Sequence, residues 1–428
     1  MIFRFRRKTV TEWLALFILV IPFAFGLLLE LLQLPALVRY VLDAAWMILL
    51  FMMLCGQRGL PSKDLRIMAI LIGLFFLTGL LGFLFNYQSG LYFLWGLRNN
   101  ARFFVYFFAC ILFVRSRSVE YYFRFFDWMF WVNFLVVLYQ YFILGKSGDY
   151  LGGIFGVQRG CNGYVNVFLS IIATHSVLRY MMRRESLWAC AMKCIVMLVI
   201  SVLTELKAFI LELGIIIVIA SAMTRFSLRK FWIIIGCAVG IVVAARGIAT
   251  LFPVFDDWFD LEHMIENLTK EEGYTGLNDM NRLTNIPIVW NMFLPNAWQK
   301  LFGMGLGNCD YAAFSALTSP FYIQYGWLNY TYFSTAMLML ETGLIGTALY
   351  VSFFVAVFFV ARRLLRKGGD LLYCRMTQIL SILCLILLVY GNTLRAEPAY
   401  MMYFAMALPF LRKEHKEQSN IRLQKGEL

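Results

Sequence analysis

Three basic side chains stand beside residues that suit anion chemistry. Arg159 lies in GGIFGVQRGCNGYVN, residues 152–166, a glycine-rich stretch ahead of an apolar run. Lys207 follows Glu205 in LTELK, a charged break between two apolar blocks, and Arg282 heads NRLTNIPIVWNMFL. A guanidinium grips phosphate through two parallel N–H bonds, and a lysine adds a point charge. A glycine-rich turn leading into a helix start can offer backbone N–H groups to the same anion. The spacing therefore fits an anion cradle, with Arg159 as the fork, Gly160 and Gly163 permitting close approach and Asn162 capping the helix that follows. A plain flexible loop fits the same composition.

Other chemistry is thin. His175, His263 and His415 are the three histidines, and they are far apart in sequence. There is no HExxH, no zinc-ligand cluster and no Walker sequence, so no metal or cofactor is expected. GMGLGN lacks the preceding strand of a dinucleotide turn. Glu205, Asp310, Glu341 and His263 are the candidates for a general base. Glu341 lies inside an apolar helix and needs a partner there. Aromatic side chains crowd PFYIQYGWLNYTYF, residues 320–333, where Trp327 and Tyr332 could stack on sugar rings. An aromatic belt at a membrane interface gives the same pattern.

These residues sit in a chain that is 61% hydrophobic and 15% charged. A soluble average is about 25% charged. Apolar runs of about 20 residues alternate with short basic clusters, the signature of an all-α, multi-spanning membrane protein. The runs predict twelve spans, at 12–32, 36–55, 67–85, 98–114, 122–144, 161–180, 187–204, 208–224, 231–251, 333–360, 372–391 and 397–411. The first run follows FRFRRK and is read as a span, because no small-residue cleavage site follows it. Residues 187–224 are too long for one span at ~1.5 Å per residue across ~30 Å, so they are read as two that meet at Glu205 and Lys207.

With a cytoplasmic N-terminus, the inner segments hold 27 of the 38 lysines and arginines. Every short inner loop is then basic, as the positive-inside rule requires. The net charge of +13 is thereby assigned to membrane orientation and not to nucleic acid. Both termini fall inside, and residues 412–428 form a cytoplasmic tail. Residues 1–251 hold spans one to nine, residues 252–332 form one large outer loop, and residues 333–411 hold the last three spans. In the loop, DWFDLEHMIENLT and NRLTNIPIVWNMFL both read as amphipathic helices, and FGMGLGN reads as a glycine turn. Eleven cations remain on the outer side, among them Arg39, Arg98, Arg102, Arg159 and Arg395. Taken singly, such arginines can snorkel to the interface. Nine cysteines are scattered without a CxxC pair, and Cys161 and Cys309 could meet on the outer side.

Four stretches, in order, resemble the O-antigen polymerase and O-antigen ligase superfamily of bacterial surface-polysaccharide enzymes. They are GGIFGVQRGCNGYVNVFL, LTELKAFILEL, MNRLTNIPIVWNMF with KLFGMGLGN, and STAMLMLETGLIGTALY. The resemblance covers roughly residues 95–360. It implies an enzyme of the bacterial cytoplasmic membrane that joins glycans carried on undecaprenyl pyrophosphate at the outer leaflet. The partners implied are a lipid-linked donor and acceptor, membrane lipids, and a chain-length regulator and flippase of the same pathway. Arg159, Arg282 and Lys207 would hold the pyrophosphate, and Gly160, Asn162, Glu205, Tyr332 and Trp327 would line the substrate. Ligases of the superfamily typically carry a His-Asn pair before the glutamate-glycine motif. Tyr332 stands about there in this chain, which suits a polymerase of exopolysaccharide, capsule or O-antigen better. The alternatives are a ligase of the same superfamily and a transporter or flippase of lipid-linked sugars.

Overall fold

The computed structural model describes residues 10–56, 60, 62–224, 273 and 279–411. Among them the regular structure is helical throughout, without a strand. The long helices are α1 (Val10–Val20), α2 (Val41–Cys55), α3 (Lys63–Phe85), α4 (Gly90–Phe113), α5 (Val119–Phe142), α6 (Asn162–Met181), α7 (Leu187–Leu203) and α8 (Lys207–Ala222). Three short helices follow, α9 (Asn285–Ile288), α10 (Ala297–Phe302) and α11 (Pro320–Tyr325). The last three are α12 (Ser334–Arg366), α13 (Leu371–Tyr390) and α14 (Ala399–Ala407).

Local chemistry sets several boundaries. Ser62, Ser186 and Asp370 each accept a backbone N–H from three residues on, which caps α3, α7 and α13. Asn86 closes α3 by donating to the Gly82 carbonyl at 2.8 Å. The break between α7 and α8 falls at residues 204–206, where Glu205 takes a left-handed backbone with φ 55°.

Among the described residues, four helical stretches are long and apolar enough to cross a membrane: Val38–Cys55, Lys63–Phe85, Ser334–Arg366 and Leu371–Tyr390. The other expected spans differ in kind. α4 is as long, but it carries Arg98, Asn99, Asn100 and Arg102. Val10–Ala24, Leu187–Leu203 and Ala399–Phe410 are apolar but short. The expected span at 231–251, the expected helix at 257–269 and the tail lie outside the described residues.

Short connections at 86–89, 114–118, 182–186, 204–206 and 367–370 make successive helices antiparallel. Their ends fall into two sets. At one end Glu12 of α1 meets Arg115 and Ser118, Asp64 of α3 meets Arg363 of α12, and Lys193 of α7 meets Asp127 and Glu185. At the other end lie the starts of α4, α6, α8 and α12 and the segment 279–333.

α14 is buried along its whole length, and α6 over Val165–Leu178, so these two helices form the centre. Rings pack there, with Phe103 and Phe353 stacked on Tyr403 at 5.9 and 6.0 Å. His175 of α6 is buried and stacked on Phe123 at 3.9 Å, an apolar packing role. A smaller core of Met280, Val289, Leu294, Cys309 and Tyr330 seats the segment 279–333 on the first turns of α12.

α12 is broken at Gly343, which has φ 63° and ψ −164°. The break frees two carbonyls. Leu340 accepts the Met304 N–H at 2.7 Å, and Glu341 accepts the Gly305 N–H at 3.1 Å. The glycine turn expected at FGMGLGN is present, with φ of 73°, 98° and 76° at Gly303, Gly305 and Gly307. A Cβ on Gly343 would lie 2.6 Å from the Gly303 nitrogen, so only paired glycines permit this approach.

Candidate functional site

The turn that carries Arg159 is built by its neighbours. Gln140 of α5 holds Gly153 by both its N–H and its carbonyl, at 2.7 and 2.8 Å, and Asn133 accepts the Ile154 N–H at 3.0 Å. Gly153 has φ 59°, and a Cβ there would sit 2.1 Å from the Asn133 oxygen. Glu30 accepts the Val157 N–H, and Arg39 donates to the Gln158 side chain at 2.8 Å. Arg159 thus projects from a fixed turn. Its guanidinium is exposed and lies 5.5 Å over the Tyr332 ring, which brings together two residues far apart in sequence.

Two expectations about this turn need correction. The N–H groups of Val157, Gly160, Cys161 and Gly163 donate to Glu30, Asp149, Gln158 and Gly160. Those four are spent inside the protein and add nothing to an anion cradle, and the exposed charge of the turn is the Arg159 guanidinium. Gly160 still serves the turn through φ 84°, and Gly163 lets Thr393 approach. Asn162 does not cap α6 either. The capping position is Cys161, without a side-chain bond, and Asn162 is the first helical residue. Its amide donates to the Asp149 carboxylate at 3.0 Å and to the Thr204 carbonyl at 3.2 Å.

That second bond ties the turn to the α7–α8 hairpin. Lys207 begins α8 there, and Glu205 precedes it, exposed, with its carboxylate against Gly148. Partial burial and the nearby Asp149 raise the Glu205 carboxyl above its ordinary range, against Lys207, which lowers it. Cys161 and Cys309 are both buried and free, so the conceivable outer disulfide is not formed.

Arg282 reaches the same neighbourhood by another route. Its Nε donates to the Tyr390 carbonyl at 3.0 Å, and its guanidinium lies 4.4 Å over the Tyr390 ring. The segment after Tyr390 pairs with the segment around Tyr332. Ser334 donates its N–H to the Gly391 carbonyl at 3.0 Å, and Asn392 donates to the Thr331 carbonyl at 2.7 Å. Arg159 sits on one member of this paired junction and Arg282 on the other. Trp327 stands exposed on the adjoining loop.

Beneath the junction lies a buried charge network that the spacing of cations does not reveal. Arg395 contacts Glu341 at 2.8 Å and Asp310 at 3.8 Å. Glu341 also accepts the Gly307 N–H at 2.8 Å, and Asn99 donates to Asp310 at 2.6 Å. Arg102 pairs with Glu397 at 3.5 Å and donates to the Arg395 carbonyl at 3.0 Å, while Tyr164 donates to Glu397. Arg98 pairs with Asp43 at 2.5 Å. The Arg102 and Arg395 side chains are only 6% and 5% exposed, so they do not snorkel. A legible signal was present in RNNAR, residues 98–102, where four polar side chains interrupt an apolar helix and the two arginines stand about one turn apart. Glu341 has the partner its position demands. It and Asp310 are enclosed and engaged, while His263 lies outside the described residues. One turn below Asn162, Glu212 is also buried, held by Asn166 at 2.9 Å and Ser170 at 2.5 Å. No cluster of metal ligands occurs among the described residues.

Set against known proteins, the chain matches no family model and no curated relative.

Proposed function

We propose that this chain is a polymerase that joins oligosaccharide units carried on undecaprenyl pyrophosphate, at the outer face of the bacterial cytoplasmic membrane. In this reading the chain crosses the membrane twelve times with both termini inside, and the segment 279–333 belongs to the outer loop. The observation that carries it is the placement of Arg159 over Tyr332, in one segment of a junction whose other segment, at Tyr390, holds Arg282. Lys207 and the N-termini of α6 and α8 add positive potential at the same end of the bundle. A dianionic leaving group is what such an arrangement favours.

The reaction forms one bond and breaks one. An acceptor sugar hydroxyl oxygen attacks the anomeric carbon of the donor glycan. The bond from that carbon to the pyrophosphate oxygen breaks, and the electron pair leaves with the lipid pyrophosphate. Arg159 and Arg282, with Lys207, hold the growing negative charge. The hydroxyl proton passes to a base, and Glu205 suits that role among the described candidates. It is exposed, and partial burial with the nearby Asp149 raises its proton affinity above that of an ordinary carboxylate, the direction a general base requires.

The test uses purified protein in detergent with lipid-linked oligosaccharide and neither ATP nor added metal. Lengthening of the glycan is expected. Arg159→Ala and Arg282→Ala should each lower the rate by about 10²–10³, the usual loss for one fixed charge donor. Retention of the rate in both variants refutes the arginine assignment. Transfer only to a lipid A core identifies a ligase, and movement of the substrate across vesicles without joining identifies a transporter.

A further inference from the structure

Five aromatic side chains from four separate segments meet near the Arg159 junction, and Tyr332 lies close enough to two of them, Tyr311 and Tyr322, to influence their charge. Tyr40 precedes α2, Trp95 lies on α4, Tyr311 and Phe314 lie on the loop after the glycine turn, Tyr322 is on α11, and Tyr332 lies under Arg159. Tyr40 packs at 6.4 Å from Trp95 and 6.1 Å from Phe314. Trp95 donates its indole N–H to the Tyr311 carbonyl at 3.3 Å. Tyr311 and Tyr322 are stacked at 5.0 Å with 25° between their planes. Tyr311 and Phe314 are 52% and 51% exposed, and Tyr332 is 37% exposed.

This strip is poorly matched to hydrocarbon. The Arg98 guanidinium lies 4.8 Å over Trp95 and 5.3 Å over Tyr40, and Asp43 pairs with it. Asp310 and Asn99 lie directly behind Tyr311. A lipid tail or an apolar peptide would have to cover phenol hydroxyls and a charged pair. A sugar ring presents an apolar face bordered by hydroxyls, which fits aromatic faces that have polar groups at their edges. The cation at one end of the strip adds charge complementarity for a glycan with a diphosphate at one end.

We propose that the strip from Tyr332 through Tyr322 and Tyr311 to Phe314 and Tyr40 binds the saccharide chain of the lipid-linked substrate. This rests on the polymerase reading for its orientation, with the sugar next to the diphosphate at Tyr332 and later sugars toward Phe314. Binding of the sugar chain itself requires no phosphate and no turnover.

The probe is therefore the oligosaccharide of the producing strain's own lipid-linked unit, released by mild acid and freed of phosphate. Its affinity for the full-length protein in nanodiscs is measured by saturation-transfer NMR and titration calorimetry. The wild type should bind it. Tyr311→Ala and Phe314→Ala should each weaken binding about fivefold, from the usual value of an aromatic contact. Phe314→Trp should restore binding, which separates loss of the face from loss of the fold. Absence of binding to the wild type, or equal binding by both alanine variants, overturns the proposal whether or not glycan is lengthened. Binding that depends on Tyr311 and Phe314, in a protein that never lengthens glycan, sustains the strip and defeats the polymerase reading instead.

Discussion

The sharpest energetic test concerns Arg395. Its guanidinium serves Glu341, which is fully buried, and Asp310, which is nearly so. Arg395→Ala leaves Glu341 with the Gly307 N–H and Asp310 with the amide of Asn99 and its own local contacts. Removing one partner of a buried ion pair costs about 3–5 kcal/mol, because the remaining charge is left without compensation. At ~2.1 cal/mol/K per residue, the unfolding entropy of a 428-residue chain is about 0.9 kcal/mol/K. The expected fall in Tm is therefore about 3–6 °C. Glu341→Gln in the same background removes the stranded charge and keeps an acceptor for Gly307. The double variant should regain about 1–3 °C, a coupling of about 1–3 kcal/mol between contacting residues. The assay is thermal unfolding in one detergent, followed by tryptophan fluorescence at a fixed scan rate. A wild-type Tm for Arg395→Ala refutes the reasoning. So does a double variant whose loss is the sum of the two single losses.

Two further predictions use the turns. Gly343→Ala should cost on the order of 1–3 kcal/mol, since φ 63° with ψ −164° suits only glycine and the added Cβ would meet the Gly303 nitrogen. Gly214→Ala in α8, where a Cβ meets nothing within 4 Å, should instead leave Tm unchanged or raise it, and a reversal of this order in Tm counts against the docking of the glycine turn. For Glu205, the folded protein holds the carboxyl above its ordinary value, so ionising it weakens the fold. Its stabilising contribution is full below the ordinary carboxylate range and is lost as pH rises through the folded value. Glu205→Gln should therefore melt above wild type at about pH 8 and level with it at about pH 4. A lower Tm for the Gln variant at the higher pH would contradict that sign.

Helix positions near the site were readable because they depend on local chemistry. The start of α6 at Asn162, the break at 204–206 and the start of α12 at Ser334 all follow from apolar runs interrupted by polar or glycine residues. The glycine turn at 303–307 was readable for the same reason. What it docks against was not, because Gly343 looks like any helical glycine until its backbone is seen to open. Asn162 misled as a cap because a polar residue at a helix start can equally turn sideways, and here Asp149 and Thr204 supply better partners.

That this chain is helical, apolar and basic at defined breaks follows from its residues alone, since hydropathy and charge are summed over neighbouring residues. The residues alone also single out Arg159 and Arg282. Which cations are exposed and which are consumed depends on how the helices pack. Arg102 and Arg395 read like Arg159 along the chain, yet they are buried against Glu397 and Glu341, while Arg159 is left over Tyr332. The reason is that a charge's partner depends on which helices pack together, and those partners lie tens to hundreds of residues away.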